Sequence, residues 1–219
     1  MKVAVLIMVK RISFLLVLLW GTICACSSPQ STQHDFEPWQ TLFDGSGLDG
    51  WESISFGGEG EIEIIDGSAI LPMGSPLTGI RPLQPLPQRL DYEVEVKAAR
   101  MVGNDFFCGL TFPVAESHAT VVLGGWGGGL CGLSCVDDED ASYNQTRSYH
   151  GFEFGQIYTL RVRVTSQKIT AWLDDEVLFE QDVANHKISL RTEMLPSVPF
   201  GVCSFLTRAA IHSVRWRAL

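Results

Sequence analysis

The sequence predicts an all-β fold, an antiparallel sandwich or barrel, on three observations. Beyond residue 40 the dominant apolar period is two, the spacing of strands with one face buried and one face wet. Turn-forming pairs recur at short intervals: Asp44-Gly45, Asp49-Gly50, Asp66-Gly67 and Asp174-Asp175, with Pro199 as a further break. No long stretch carries a helical period, and Pro76, Pro82, Pro85 and Pro87 rule out a helix across residues 75–88. Many short strands in one chain of this size form a sandwich or a closed barrel.

The chain has 219 residues, and its N-terminus is organised differently from the rest. Lys2, Lys10 and Arg11 precede an apolar run over residues 12–20. Small and polar residues follow, ending in Ile23-Cys24-Ala25-Cys26-Ser27-Ser28. Positive, then apolar, then small is the order of an export signal, and the apolar run is too short for a stable membrane span. Ile23-Cys24-Ala25-Cys26 also resembles a bacterial lipobox, which makes Cys26 the candidate lipidation site. Plain signal cleavage without lipid is the alternative. The expected organisation is a signal over residues 1–26, a polar tether over 27–38 and one domain over 39–219. The expected location is the cell envelope, lipid-anchored and facing the periplasm or exterior, or otherwise secreted.

Net charge is −9. The signal holds three basic residues and no acids, so 13 basic and 25 acidic residues remain beyond it, a charge of −12. So acidic a surface argues against nucleic acid as a partner, and against anionic lipid beyond an anchor. It is compatible with neutral ligands such as sugars. Beyond Cys26 lie Cys108, Cys131, Cys135 and Cys203. Cys131 with Cys135, and Cys108 with Cys203, are conceivable disulfides in an oxidising compartment; buried free thiols are the alternative.

The strands follow in order. Leu90, Tyr92, Val94, Val96 and Ala98 alternate with Asp91, Glu93, Glu95 and Lys97. Leu160, Val162 and Val164 alternate with Arg161, Arg163 and Thr165. Ile169, Ala171 and Leu173 continue the rule, and residues 168–182 form a hairpin through Asp174-Asp175-Glu176. Ile211, Val214 and Trp216 belong to the last strand, with an irregular step at Ser213. Two stretches break the pattern. Residues 124–129 hold five glycines around Trp126, a density that implies close approach of the backbone to something else or a conformation other residues cannot reach. Residues 137–144 open with Asp137, Asp138, Glu139 and Asp140.

The motifs Leu42-Phe43-Asp44-Gly45 with Leu48-Asp49-Gly50-Trp51, Ile65-Asp66-Gly67-Ser68-Ala69-Ile70, Leu90-Asp91-Tyr92-Glu93-Val94, Ala171-Trp172-Leu173-Asp174-Asp175-Glu176, Pro199-Phe200-Gly201 and Ile211-His212-Ser213-Val214-Arg215 occur in that order. Together they resemble the DUF1080 family, the 3-keto-disaccharide hydrolase domain, over about residues 40–219. The resemblance implies a two-sheet antiparallel jelly roll of the concanavalin A type with saccharide held on its concave sheet. It also implies cleavage of glycosides already oxidised at C3. A C3 ketone acidifies the C2 proton; a base removes it, the C1 substituent leaves, and water adds back. The sequence departs from the family where Asn104-Asp105-Phe106 replaces its Asn-Ser-Gly turn.

Candidate site residues follow. His118 is a candidate catalytic acid or base, with a structural histidine as the alternative, and Glu193 is a candidate base, with a surface ion pair to Arg191 as the alternative. Arg191 is placed to hold sugar hydroxyls or an enolate oxygen, with Arg81 as a weaker choice for the same role. Asn104 and Asp105 are placed to bond hydroxyls, or merely to end a strand. Trp126 is a candidate stacking platform, or alternatively a core or hairpin tryptophan. Asp137, Asp138 and Asp140 form a candidate site for calcium or another divalent cation, without the glycine and terminal glutamate of an EF-hand; a solvated loop is the alternative. Asn144-Gln145-Thr146 matches a glycosylation sequon and is set aside. Three functions stay open: a 3-keto-glycoside hydrolase or lyase, a non-catalytic carbohydrate-binding lipoprotein, and an adhesion domain of the laminin-G type.

Overall fold

The computed structural model describes residues 36–219. The export signal, Cys26 and residues 27–35 of the tether lie outside the described residues. The strands are β1 Gln40–Phe43, β2 Trp51–Ser53, β3 Glu63–Ile65, β4 Ser68–Leu71, β5 Leu77–Pro82, β6 Tyr92–Gly103, β7 Cys108–Val114, β8 Ser117–Gly125, β9 Leu130–Ser134, β10 Ser148–Tyr149, β11 Ile157–Val164, β12 Lys168–Leu173, β13 Glu176–Asp182, β14 Gly201–Phe205 and β15 Thr207–Ala218. The one helical element among the described residues is a 3-10 segment, Thr192–Ser197.

The strands form two antiparallel sheets. An eight-stranded sheet runs β13-β12-β11-β6-β15-β4-β3, with β1 also paired to β15. A seven-stranded sheet runs β10-β9-β8-β7-β14-β5-β2. Neighbours such as β6 and β15, or β7 and β14, are far apart in sequence, so the chain crosses repeatedly between sheets. The alternation explains the layering. Tyr92, Val94, Val96 and Ala98 of β6, Leu160 and Val162 of β11, and Val214 and Trp216 of β15 point inward. They meet Leu110 and Phe112 of β7, Val121 and Leu123 of β8, and Leu133 of β9 in one core. The hairpin over residues 168–182 forms as β12 and β13. The irregular step at Ser213 is a β-bulge: the pairing of β15 with β6 slips between Ile211 and Ser213.

The four cysteines of the domain are free and buried, so the thiol alternative holds. Register gives the reason. Cys108 and Cys131 both pair with Leu123, from opposite sides, and so stand two strand spacings apart, about 9.5 Å. A bridge tolerates at most about 7 Å between Cα atoms. Cys203 pairs with Gly109, the neighbour of Cys108, and so points to the other face of the sheet. Cys131 precedes Cys135 by four positions of extended chain, too far for closure. Burial pushes the Cys108 thiol up to about 12 and the Cys131 thiol up to about 11, so both stay protonated.

Candidate functional site

The outer face of the seven-stranded sheet carries small side chains. Gly79 of β5, Gly109 and Thr111 of β7, Thr120 of β8, Gly132 and Ser134 of β9, and Cys203 of β14 alternate with the core residues just named. Low side chains let other chain segments lie close. Ser197 Oγ stands 2.7 Å from Thr111 Oγ1, which shares a 2.8 Å hydrogen bond with Thr120 Oγ1, so a buried hydroxyl ladder fastens the 3-10 segment to the sheet. Ala141 lies over Gly132, where a Cβ would come within 3.0 Å of its methyl. Phe106, Val122, Leu130, Ala141, Met194 and Cys203 make a second, smaller apolar cluster on this side.

The loop around Ala141 is held by Asn144. Its buried amide donates to Leu133 O at 2.7 Å and Glu139 O at 3.0 Å, and its Oδ1 accepts from Thr146. The sequon is thus an internal structural device.

What these segments leave open is a cavity of about 130 Å³. An apolar cavity of about 150 Å³ accommodates a benzene ring, so this one has room for about one six-membered ring. Asp105, Trp126, Arg191 and Glu193 line it, with Thr120 and Ser134 on the floor and Phe106, Met194 and Phe205 as apolar walls. Four candidates from the sequence, drawn from three separate segments, therefore meet at one place.

Trp126 sits at the tip of the β8–β9 connection with φ 47° and is 43% exposed, so it is not a core residue. Two of the nearby glycines, Gly124 and Gly128, have an internal cause. A Cβ on Gly124 would fall 2.1 Å from Arg100 Nη2, and one on Gly128 3.2 Å from Arg100 Nη1. The backbone approaches a buried guanidinium there. Asp105 is half-buried. Burial raises its carboxyl above the ordinary range, against the amides of Phe106 and Trp126 and the charge of Arg100, which pull it back. Burial works against the charge of Arg191, but Glu193 and Asp140 together outweigh it and hold the guanidinium above its usual value. Arg191 Nε donates to Glu193 at 2.5 Å and Nη1 to Asp140 at 2.7 Å.

The remaining candidates lie elsewhere. Arg81 bonds Glu52 at 2.7 Å and Pro196 O at 3.2 Å, bracing the 3-10 segment without lining the cavity. Asn104 is exposed and does not line the cavity. His118 stands two residues before Thr120 on β8, next to Arg89, outside the cavity. Burial and Arg89 depress its pKa, which favours the neutral ring.

The acidic run is arranged otherwise than a cation site. Asp137 bonds His186 at 2.6 Å, Asp138 bonds Lys187 at 2.7 Å and Asp140 bonds Arg191. Basic side chains from residues 186–191 relieve the mutual repulsion that suggested a metal. Among the described residues no group of three or more His, Cys, Asp or Glu side chains is gathered for an ion.

Arg100 was legible but passed over. It continues the inward series Tyr92, Val94, Val96, Ala98, and a charge in that register is a buried charge. Met194, Phe205 and Ser134 carry no comparable signal, because they reach the cavity only through the folding-back of the 3-10 segment and the sheet register.

No protein-family model matches the sequence, and no curated protein matches it. Several solved structures are similar. Apo Crh5 transglycosylase has a TM-score of 0.57 at 12% identity, over 83% of both chains. The exoplasmic/lumenal domain of VIP36, in its Ca²⁺/Man3GlcNAc-bound form, has a TM-score of 0.54 at 12% identity, over 84% of this chain and 91% of that one. SCLam, a non-specific endo-β-1,3(4)-glucanase of family GH16, has a TM-score of 0.51 at 9% identity, over 82% and 91%. At such identities the likeness is one of fold: the described domain is an antiparallel jelly-roll sandwich of the lectin and glucanase type.

Proposed function

We propose that the chain is an exported saccharide-active domain, anchored through Cys26, whose ligand enters the cavity between Trp126, Asp105, Arg191 and Glu193. One observation carries this reading: an aromatic ring, two carboxylates and a guanidinium converge on an opening sized for one ring. The fold neighbours support it, since they include a transglycosylase in complex with NAG, a glucanase and a glycan-bound domain.

The finer reading is cleavage of 3-keto-glycosides, the activity implied by the resemblance to the DUF1080 family. Trp126 stacks on the sugar. Glu193 takes the C2 proton, and the electron pair forms the enolate, whose oxygen faces Arg191. The pair then returns as a C1–C2 double bond while the C1–O bond breaks, and the leaving oxygen takes a proton from Asp105. Water adds across the double bond, hydroxyl to C1 and proton to C2, giving the 3-keto sugar. Asp105 suits the acid role because burial favours its protonated form. The acidic run has no part in this scheme.

The second reading is a non-catalytic sugar-binding domain. It is favoured by the Glu193 carboxylate being already engaged by Arg191.

Incubation with p-nitrophenyl 3-keto-β-glucoside separates the two. Release of nitrophenol that is lost in Glu193→Gln and reduced in Asp105→Asn supports the enzyme. No release at any pH, with calcium and transition metals added singly, rejects it. Binding on a glycan array would then favour the second reading, and absence of both would reject a saccharide site. Incorporation of labelled palmitate that disappears in Cys26→Ser tests the anchor.

A further inference from the structure

Arg100 is 5% exposed and lies at the inward-facing end of β6, where the sandwich opens toward the β8–β9 connection. No ion pair holds it among the described residues. Its Nη2 instead donates to three main-chain carbonyls: Gly128 at 2.8 Å, Gly124 at 2.9 Å and Asp105 at 3.2 Å. Its guanidinium carbon stands 5.2 Å from the ring centre of Phe107 and 5.6 Å from that of Phe152. Those rings pack against each other and against Tyr158, so the guanidinium is fixed from behind by an aromatic cluster. Nε is buried with no partner, so the side chain sits here despite leaving one donor unsatisfied.

The three carbonyls belong to the two loops that carry the cavity's key groups. Gly124 and Gly128 bracket Trp126; Asp105 presents its carboxylate to the cavity from the β6–β7 connection. Thr207 Oγ1 ties the second loop further, accepting from the Asp105 amide at 3.1 Å. Nη2 thus binds carbonyls of both loops at once from beneath, adding to the direct bond by which the Trp126 amide donates to the Asp105 carboxylate. Glycine at 124 follows from it, since any side chain there would displace the guanidinium.

We propose that Arg100 is the positioning residue of the candidate site: by clamping both loops from inside the sandwich it sets where the Trp126 ring and the Asp105 carboxylate stand before any ligand arrives. Arg100 touches no ligand. The role rests on the saccharide reading only for what the site receives; the clamp itself is independent of it.

The test uses protein labelled with 5-fluorotryptophan and read by fluorine NMR, with the Trp126 line assigned by its loss in Trp126→Phe. In Arg100→Lys, which keeps the charge but ends one bond short of the Nη2 position, and in Arg100→Met, the Trp126 line should shift and broaden. The lines of Trp51 and Trp216, buried in the core, should stay in place. Affinity for whichever sugar the array identifies should fall roughly tenfold in both variants. An unchanged Trp126 line in a folded Arg100→Lys protein overturns the proposal. So does a common shift of all tryptophan lines, or failure of both variants to fold, because Arg100 would then hold the fold and not the loops. If no sugar binds the native protein while the Trp126 line still moves, the saccharide reading fails and the clamp stands.

Discussion

The two outer faces of the sandwich are built on opposite plans. On the eight-stranded sheet, Glu93 is completely buried beneath Arg161, Arg163 and Arg217, and Glu95 pairs with Arg215. The aromatic rings of Phe36, Trp39 and Trp172 stack over those arginines, beside an open, polar cleft of about 440 Å³ between Trp39, Lys97, Arg161, Asp174 and Arg215. Phe36, expected in the tether, is thereby part of this packing. On the seven-stranded sheet the matching positions are glycine, serine and threonine, and the cover is the chain's own backbone, which stops short and leaves the cavity. One face is a layer of paired charges and stacked rings around a shallow polar cleft, whereas the other is kept low and holds a smaller cavity with apolar walls.

The largest effect expected from breaking this contrast is at the charged face. Glu93→Ala leaves three arginines crowded without their shared carboxylate. Removing one partner of a buried ionic group costs about 3–5 kcal/mol, and the partly exposed arginines place this case at the lower end, about 3 kcal/mol. Urea unfolding measures it, and sugar binding by the protein that remains folded should be unaltered. A loss below about 1 kcal/mol would mean that the stacked rings, not the carboxylate, hold the arginines.

At the open face the sensitive positions are glycines. A Cβ on Gly79 would come 2.6 Å from Cys203 Cβ and 2.7 Å from Val202 O, so Gly79→Ala should cost about 2 kcal/mol through forced displacement of β14. Urea unfolding measures this as well. Strand β14 ends near Phe205, a cavity wall, so ligand affinity should fall along with stability, which distinguishes this variant from Glu93→Ala.

How much of this contrast the sequence revealed depends on the range of the interactions. Alternation in β6, β11 and β12 is local, so the layers, the hairpin and the bulge at Ser213 were legible. The need for glycine around Trp126 was legible too, but not its partner, the Arg100 guanidinium beneath Gly124 and Gly128, and residue type alone left an exposed and a core Trp126 equally open. The partners of the acidic run were not legible: His186, Lys187 and Arg191 sit about fifty residues downstream and meet it through main-chain pairing of residues 135–137 with 187–189. The cavity was hidden for the same reason. Glu193 and Arg191 were singled out from residue type, yet their approach to Trp126 depends on Ser197 fastening the 3-10 segment across the sheet.

Trp126→Ala sharpens the contrast without disturbing the fold. The ring is half-exposed at a connection, so stability should change by less than about 0.5 kcal/mol. Sugar affinity should fall by roughly tenfold, within the range that loss of one stacked aromatic at a binding site produces. Titration by isothermal calorimetry against the array's best ligand checks it, and undiminished affinity rejects the stacking platform.

The smallest expected effect concerns one histidine on each sheet. Burial, then Arg89, depresses the pKa of His118 on the seven-stranded sheet. Burial, then Lys97, depresses that of His212 on the eight-stranded sheet, where Nδ1 pairs with Ser68 Oγ at 2.8 Å and the buried Nε2 has no partner. In the unfolded chain both protonate near 6.5, before they do in the folded one. The unfolded state therefore binds more protons across that window, and stability falls as pH drops from about 6.5 through the lower folded values. Asp105 contributes with the opposite slope at lower pH: its raised carboxyl favours the folded state while protonated, and that advantage is lost as pH rises from 3.8. Urea unfolding at a series of pH values should show a shallower slope below 6.5 in His212→Asn and in His118→Asn. The larger flattening belongs to His212→Asn, because Nε2 of His212 has no acceptor for the proton it would gain, whereas His118 stands beside Arg89 at a more open site. An unchanged slope in His212→Asn would place the pH dependence on the seven-stranded sheet alone.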